Sequence, residues 1–156
     1  MEVTVRITDA LLGEHGALYP LLDHLESVAA NPALAAELST RAAVLAAALE
    51  GHARLEEELL FSALAASLGS TGPLHVMRME HNEIDRILME LQQAPGPATA
   101  RELTRNLIAV TRAHFGKEEQ VLFPMTLGVL ANHVSEQLGR QWAERRQVHL
   151  VGTAGG

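Results

Sequence analysis

Apolar residues recur along this chain at alternating steps of three and four, the spacing that lines one face of an α-helix. The first such stripe is Leu11, His15, Leu18, Leu22, Leu25 and Ala29, and the second is Leu45, Leu49, His52, Glu56, Leu59 and Ala63. A third runs Leu74, Met77, His81, Ile84, Leu88, Leu91, and a fourth Leu103, Leu107, Val110, His114, Glu118, Val121. Punctuation sets the bounds. The first helix is expected from about Asp9, with Thr8 or Asp9 as N-cap, to Asn31-Pro32. The second follows Pro32, with a break at Ser39-Thr40, and closes at Gly69. Thr71-Gly72-Pro73 opens the third, which ends at Pro95-Gly96-Pro97; the fourth starts near Thr99 and meets Pro124, which should stop or kink it. A short amphipathic helix from Ser135 to about Gln147 and a loose tail over 151–156 complete the chain.

Short joints make consecutive helices antiparallel neighbours, so the predicted fold is all-α: an up-down-up-down antiparallel four-helix bundle with a short extra C-terminal helix. Residues 1–150 then form one domain, in keeping with 156 residues of which 47% are hydrophobic. The aromatic share is only 3%, and Ala and Leu dominate, which favours helices over sheets.

Polar residues interrupt the stripes at related places. His52-Ala53-Arg54-Leu55-Glu56 and His114-Phe115-Gly116-Lys117-Glu118 each set a His and a Glu one helical turn apart. Upstream, the segment from Glu14-His15 to Leu25 aligns without a gap on Glu80-His81 to Leu91. The chain is thus one unit written twice, with an offset of 66 residues in the first segment and 62 in the second. The slip falls in the connection, where changes of length cost little. No third copy exists to suggest a solenoid.

Counting from the joints brings His15, His52, Glu56, His81, His114 and Glu118 to within a few residues of one height, hence into one layer of the bundle interior. Two buried acids there need positive partners, and no Lys or Arg occupies a matching inward position. A metal supplies that charge; a neutral hydrogen-bonded polar layer is the alternative. Four imidazoles and two carboxylates exceed what one tetrahedral zinc uses, so two ions are expected, one per repeat, with the Glu residues bridging. Such ligands suit Fe, Mn, Zn or Co, and a di-iron centre leads, with Zn or Mn as substitutes.

Tyr19 and Asp85 each follow a lone His by four residues on the metal-facing side and are further candidates for contact with the site. His24, His75, His133 and His149 belong to no paired motif and are expected at the surface. Glu57, Glu58 and Glu119 read as a solvated edge or as partners of the ligands. Glu14 and Glu80 read as an exposed helix face, with hydrogen bonding to ligands as the alternative.

The absence of cysteine excludes disulfides, thiolate metal sites, iron–sulfur clusters and thiol catalysis. A formal charge of −7 without a basic run argues against nucleic acid. Met1 to Asp9 carries no basic region followed by an apolar run, and no stretch reaches the roughly 18 apolar residues of a membrane span, so a soluble cytoplasmic protein is expected, without membrane partners.

The ordered set of His15, His52-x3-Glu56, His81 and His114-x3-Glu118 with Leu122-Phe123-Pro124 resembles the hemerythrin-like family, the HHE cation-binding domain, over roughly residues 8 to 130. Ferritin-like di-iron bundles instead carry Glu-x-x-His with additional Glu residues. The resemblance implies a non-haem di-iron site with a bridging oxo or hydroxo group and with Glu56 and Glu118 as bridging carboxylates. His15 and His52 would serve one iron, and His81 and His114 the other. An open coordination position would take O₂, NO or peroxide. Oxygen-carrying members look to use a fifth His four residues after the third-helix His, where this chain has Asp85. That departure shifts the expected role from simple O₂ carriage toward binding or sensing a small oxidant. The rival readings are a di-iron oxidoreductase, an iron-delivery or repair protein, and a bundle with a purely structural metal.

Overall fold

The stripes lie along the inner sides of helices, for most of their length. The computed structural model describes residues 3–151. In it α1 spans Ile7–Ala30, α2 Pro32–Leu68, α3 Pro73–Gln92, α4 residues 97–129 and α5 Asn132–Arg146. No strand runs among the described residues. Helix α1 packs on α2 and α4, and α3 packs on the same two, which closes a ring of helices; α5 lies outside it against α1.

Several boundaries differ from the sequence reading. Helix α1 begins at Ile7 with Arg6 as N-cap and no side-chain cap, because Ile7 is drawn into the core while Asp9 pairs with Arg6 at 2.8 Å. The irregularity in α2 falls at Pro32–Glu37, a tighter 3₁₀ start capped by the Asn31 side chain, and not at Ser39-Thr40. Gly69 ends α2 with a φ of 73°, a conformation open to glycine. Helix α5 starts three residues before Ser135, at Asn132. Of the expected tail, residues 152–156 lie outside the described residues.

The main departure is a pair of π turns, Glu56–Phe61 in α2 and Glu118–Leu122 in α4. In each, an amide reaches the carbonyl five residues back: Ser62 to Glu57, and Phe123 to Glu118. A π turn holds one more residue than an α turn and rotates everything downstream. Ala63, placed on the stripe by period counting, is therefore only partly covered, and Leu64 takes the core position. Val121 is likewise 54% exposed while Leu122 is buried. Pro124 does not stop α4: it falls just past the π turn, in the first positions of the α-helical stretch Phe123–Val129, where a missing N–H is tolerated.

The apolar interior consists of two clusters. One gathers Leu18, Leu22, Leu25, Leu45, Leu49, Ile84, Leu88, Leu107 and Phe115; the other gathers Ile7, Leu11, Leu59, Leu60, Phe61, Leu64, Leu74, Met77, Leu122 and Phe123. The polar residues of the stripes separate them.

Helix α2 also corrects the expectation that no stretch has the makings of a membrane span. It contains an 18-residue window of mean hydropathy 1.3, long and apolar enough to cross a membrane by length and composition alone. Much of that value comes from alanine. The buried face, Leu38, Ala42, Leu45 and Leu49, packs within the bundle.

Candidate metal centre

His15 comes from α1, His52 and Glu56 from α2, His81 from α3, and His114 and Glu118 from α4. All six meet in one layer. Five are essentially fully buried, and His81 has a side chain 10% exposed. Two ligand sets form: His15, His52, Glu56 and Glu118, and Glu56, His81, His114 and Glu118. The two carboxylates belong to both.

Their oxygens divide between the sets. Glu56 Oε1 lies 3.1 Å from His52 Nε2 and its Oε2 lies 3.2 Å from His81 Nε2. Glu118 Oε2 lies 2.9 Å from His15 Nε2 and its Oε1 lies 2.8 Å from His114 Nε2. Both π turns start at these glutamates, so the helix widens immediately after the residue that must reach across the layer.

The outer imidazole nitrogens meet a second ring of carboxylates. His52 Nδ1 donates to Glu14 at 2.7 Å and His114 Nδ1 to Glu80 at 2.8 Å; His81 Nδ1 donates to Glu57 at 3.3 Å, and His15 Nδ1 lies 3.5 Å from Glu119. A carboxylate accepts, so in His52, His81 and His114 it holds a proton on Nδ1 and leaves Nε2 as the nitrogen to face a metal once its own proton is lost. Two aromatic rings cover the layer. Phe115 stacks on His15 at 4.0 Å and Phe61 on His81 at 5.6 Å, both within 14° of parallel.

Electrostatics follow this geometry. Burial works to lower the His52 pKa, but Glu56 and Glu14 override it and hold the imidazole up at about 10. His114 is held up at about 9 against burial by Glu118 and Glu80. Burial would raise Glu56, yet His52 and His81 keep it well below the ordinary carboxylate range. Glu14 is pushed down to about 2, against burial, by His52, Arg146 and Trp142.

A cation fits these residues. Both oxygens of Glu56 and of Glu118, and Nε2 of His81 and His114, are buried and face ring nitrogens or carboxylate oxygens of the layer at 2.8–3.2 Å without forming aligned hydrogen bonds. Buried polar atoms that converge at this density and point past one another suit a shared ligand. His15 Nε2 and His52 Nε2 stand 3.2 Å apart. With metal–nitrogen bonds of about 2.1 Å, neighbouring ligands at right angles on one ion are separated by about 3 Å.

A helical bundle whose interior carries two sets of His and Glu ligand atoms is a cation-binding bundle. The family model of the hemerythrin HHE cation binding domain matches residues 6–126, and the chain belongs to that family. Comparison with curated proteins and with solved structures returns no match.

The structure brings together all six residues picked out by the stripes; Asp85 is in neither set, and Tyr19 lies beside the layer, its ring 6.3 Å from that of His15. The Tyr19 hydroxyl donates to Glu119 at 2.7 Å, and Asp85 is exposed beside a small cavity bordered by His81 and His114. Glu14 and Glu80, read mainly as an exposed face, are hydrogen-bonded to His52 and His114. Their repetition before the lone His residues was the available signal. The partners lie on neighbouring helices, so spacing along one helix does not reveal them. His24, His75, His133 and His149 are exposed, as expected.

The raised imidazoles have a measurable consequence. In the metal-free protein their charge contributes stability that is complete below about pH 6.5 and is lost as pH rises through about 9 and 10. Ligation requires the neutral ring. Metal uptake at pH 7 should therefore release about two protons, and affinity should rise with pH up to that window. Calorimetry in buffers of different ionisation heat measures the release; uptake without proton release would refute it.

Proposed function

We propose that the chain is a non-haem di-iron protein that binds or senses O₂ or a related small oxidant such as NO or peroxide. One observation carries the reading: each of two buried carboxylates presents one oxygen to each pair of histidines. That arrangement supports two ions that share both carboxylates: His15 and His52 would hold one and His81 and His114 the other. The reading takes the ring of helices, with its short joints, as an up-down-up-down antiparallel bundle. Iron at these positions would supply one-electron chemistry and an open coordination position.

The protein's own residues account for selectivity. A cavity of about 20 Å³ lies against His52, His81, His114, Phe115 and Ile84, with Asp85 at its exposed side. Its size suits one water-sized molecule and argues against an organic substrate. Phe61 and Phe115 keep bulk water from the ligand layer. Glu57 orients His81, and the Tyr19 hydroxyl fixes the Glu119 carboxylate near His15 Nδ1.

Metal analysis with an optical spectrum tests the proposal. About two irons per chain are expected, with near-ultraviolet and visible bands of a bridged pair that change on adding O₂, NO or peroxide after anaerobic reduction. Zinc alone with a silent spectrum would replace the reading with that of a structural metal. Sustained turnover of peroxide or NO would move it to a di-iron oxidoreductase.

A further inference from the structure

The family match ends at residue 126, yet α5, which follows it, reaches the ligand layer. Trp142 Nε1 and Arg146 Nε each donate to Glu14 Oε1 at 2.7 Å, while Oε2 of the same carboxylate accepts from His52 Nδ1 at 2.7 Å. We propose that α5 is a positioning element for one half of the metal centre, with Trp142 and Arg146 fixing Glu14 and, through it, the imidazole of His52. The proposal rests on the reading of the layer as a metal pair.

The contact is built from both sides. Helix α5 buries Ser135, Gly139 and Ala143, spaced four apart, and a Cβ at Gly139 would stand 1.7 Å from the carbonyl oxygen of Val5. The helix therefore lies directly on the N-terminal segment, a placement open only to glycine. On α2, Gly51 immediately precedes His52, and a Cβ there would come within 3.2 Å of the Arg146 guanidinium. A Cβ at that position would crowd the guanidinium, which would have to shift by a few tenths of an ångström. Arg145 adds an ion pair to Glu58, inside the π turn of α2.

The other half of the duplicated unit has no such support. Its equivalent carboxylate, Glu80, is paired with Lys117, a flexible side chain 52% exposed on α4, and Ala113 stands in the place of Gly51. No fifth helix covers it among the described residues. Two donors of fixed direction, an indole and a guanidinium, hold Glu14 in one orientation, whereas a single ammonium on a mobile stem holds Glu80. The imidazoles of His52 and His114 share the same outer bond but differ in how firmly that bond is anchored. The two metal positions are in consequence inequivalent, with the His15/His52 position the more rigidly defined.

The test uses the full chain loaded with zinc, which is diamagnetic and accepts the same ligands. Imidazole Nδ1–H resonances of His52 and His114 are followed by NMR in the parent and in Trp142→Phe, Arg146→Gln, Arg146→Lys and Lys117→Gln. Trp142→Phe and Arg146→Gln are expected to shift the His52 proton and speed its exchange, leaving His114 unmoved, and to weaken one of the two zinc sites by about 10–100-fold. Arg146→Lys should restore part of the effect, and Lys117→Gln should move His114 alone. Two bound zincs with both rings responding alike, or neither responding, would overturn the proposal while leaving the metal centre in place. A parent chain that binds neither zinc nor iron overturns the metal-centre reading, and the proposal falls with it.

Discussion

Replacing Glu56 or Glu118 by alanine is expected to empty both metal positions at once, whereas His24→Ala and His133→Ala leave metal content unchanged. The asymmetry follows from the geometry. Each glutamate contributes one oxygen to each ligand set, so removing either leaves both sets short of a ligand and of a negative charge. Removing His15 or His114 takes a ligand from one set only. His24 and His133 are exposed and belong to neither set. Glu56→Gln should behave nearly as Glu56→Ala, because a neutral amide keeps the shape and loses the charge that two cations require. The measurement is metal per chain after purification and dialysis against a mild chelator. Equal retention in the glutamate variants and the surface-histidine variants would refute the shared-bridge assignment.

The second large effect is expected on stability. Phe115 is buried in the larger apolar cluster, stacks on His15 at 4.0 Å, and meets His52 and Tyr19 edge-on at 5.6 Å each. Phe115→Ala removes a ring that no neighbour can replace and opens a cavity beside the polar layer. The cost is about 3–5 kcal/mol. For a chain of this size that corresponds to a fall in Tm of roughly 6–20 °C. Unfolding followed by circular dichroism in excess chelator isolates the packing effect from metal binding. A fall of under about 3 °C would show that the ring contributes little packing at this site. Phe115→Leu should recover part of the loss, since much of the apolar volume returns.

How far the sequence revealed this protein depended on how local the determining interaction is. The four stripes placed Leu18, Leu22, Ile84 and Leu88 correctly in the interior, because an α-helix repeats its faces by a fixed rule. The same rule misplaced Ala63 and Val121, since each π turn adds a residue that no feature of the apolar pattern announces. The six inward His and Glu residues were legible because charge on an apolar stripe is costly and the motif is repeated. Glu14 and Glu80 were harder to place. On their own helices they sit beside a lone His, about 100° round the helix from it, and only the neighbouring helix shows that each accepts from a different histidine. Trp142 and Arg146 gave no signal, because their partner Glu14 lies more than a hundred residues earlier in the chain.

The His and Glu layer divides the apolar interior into two clusters, with Leu11 and Met77 on one side and Leu18 and Ile84 on the other. The bundle is in this sense two short hydrophobic cores stacked end to end across a polar seam. Without a cation, the seam is held by imidazolium–carboxylate pairs whose charge depends on pH. With cations, the same groups become fixed links from all four helices to shared points. Occupancy of the site would therefore also be a mechanical variable, tying the two ends of the molecule together through fixed links in place of titratable contacts.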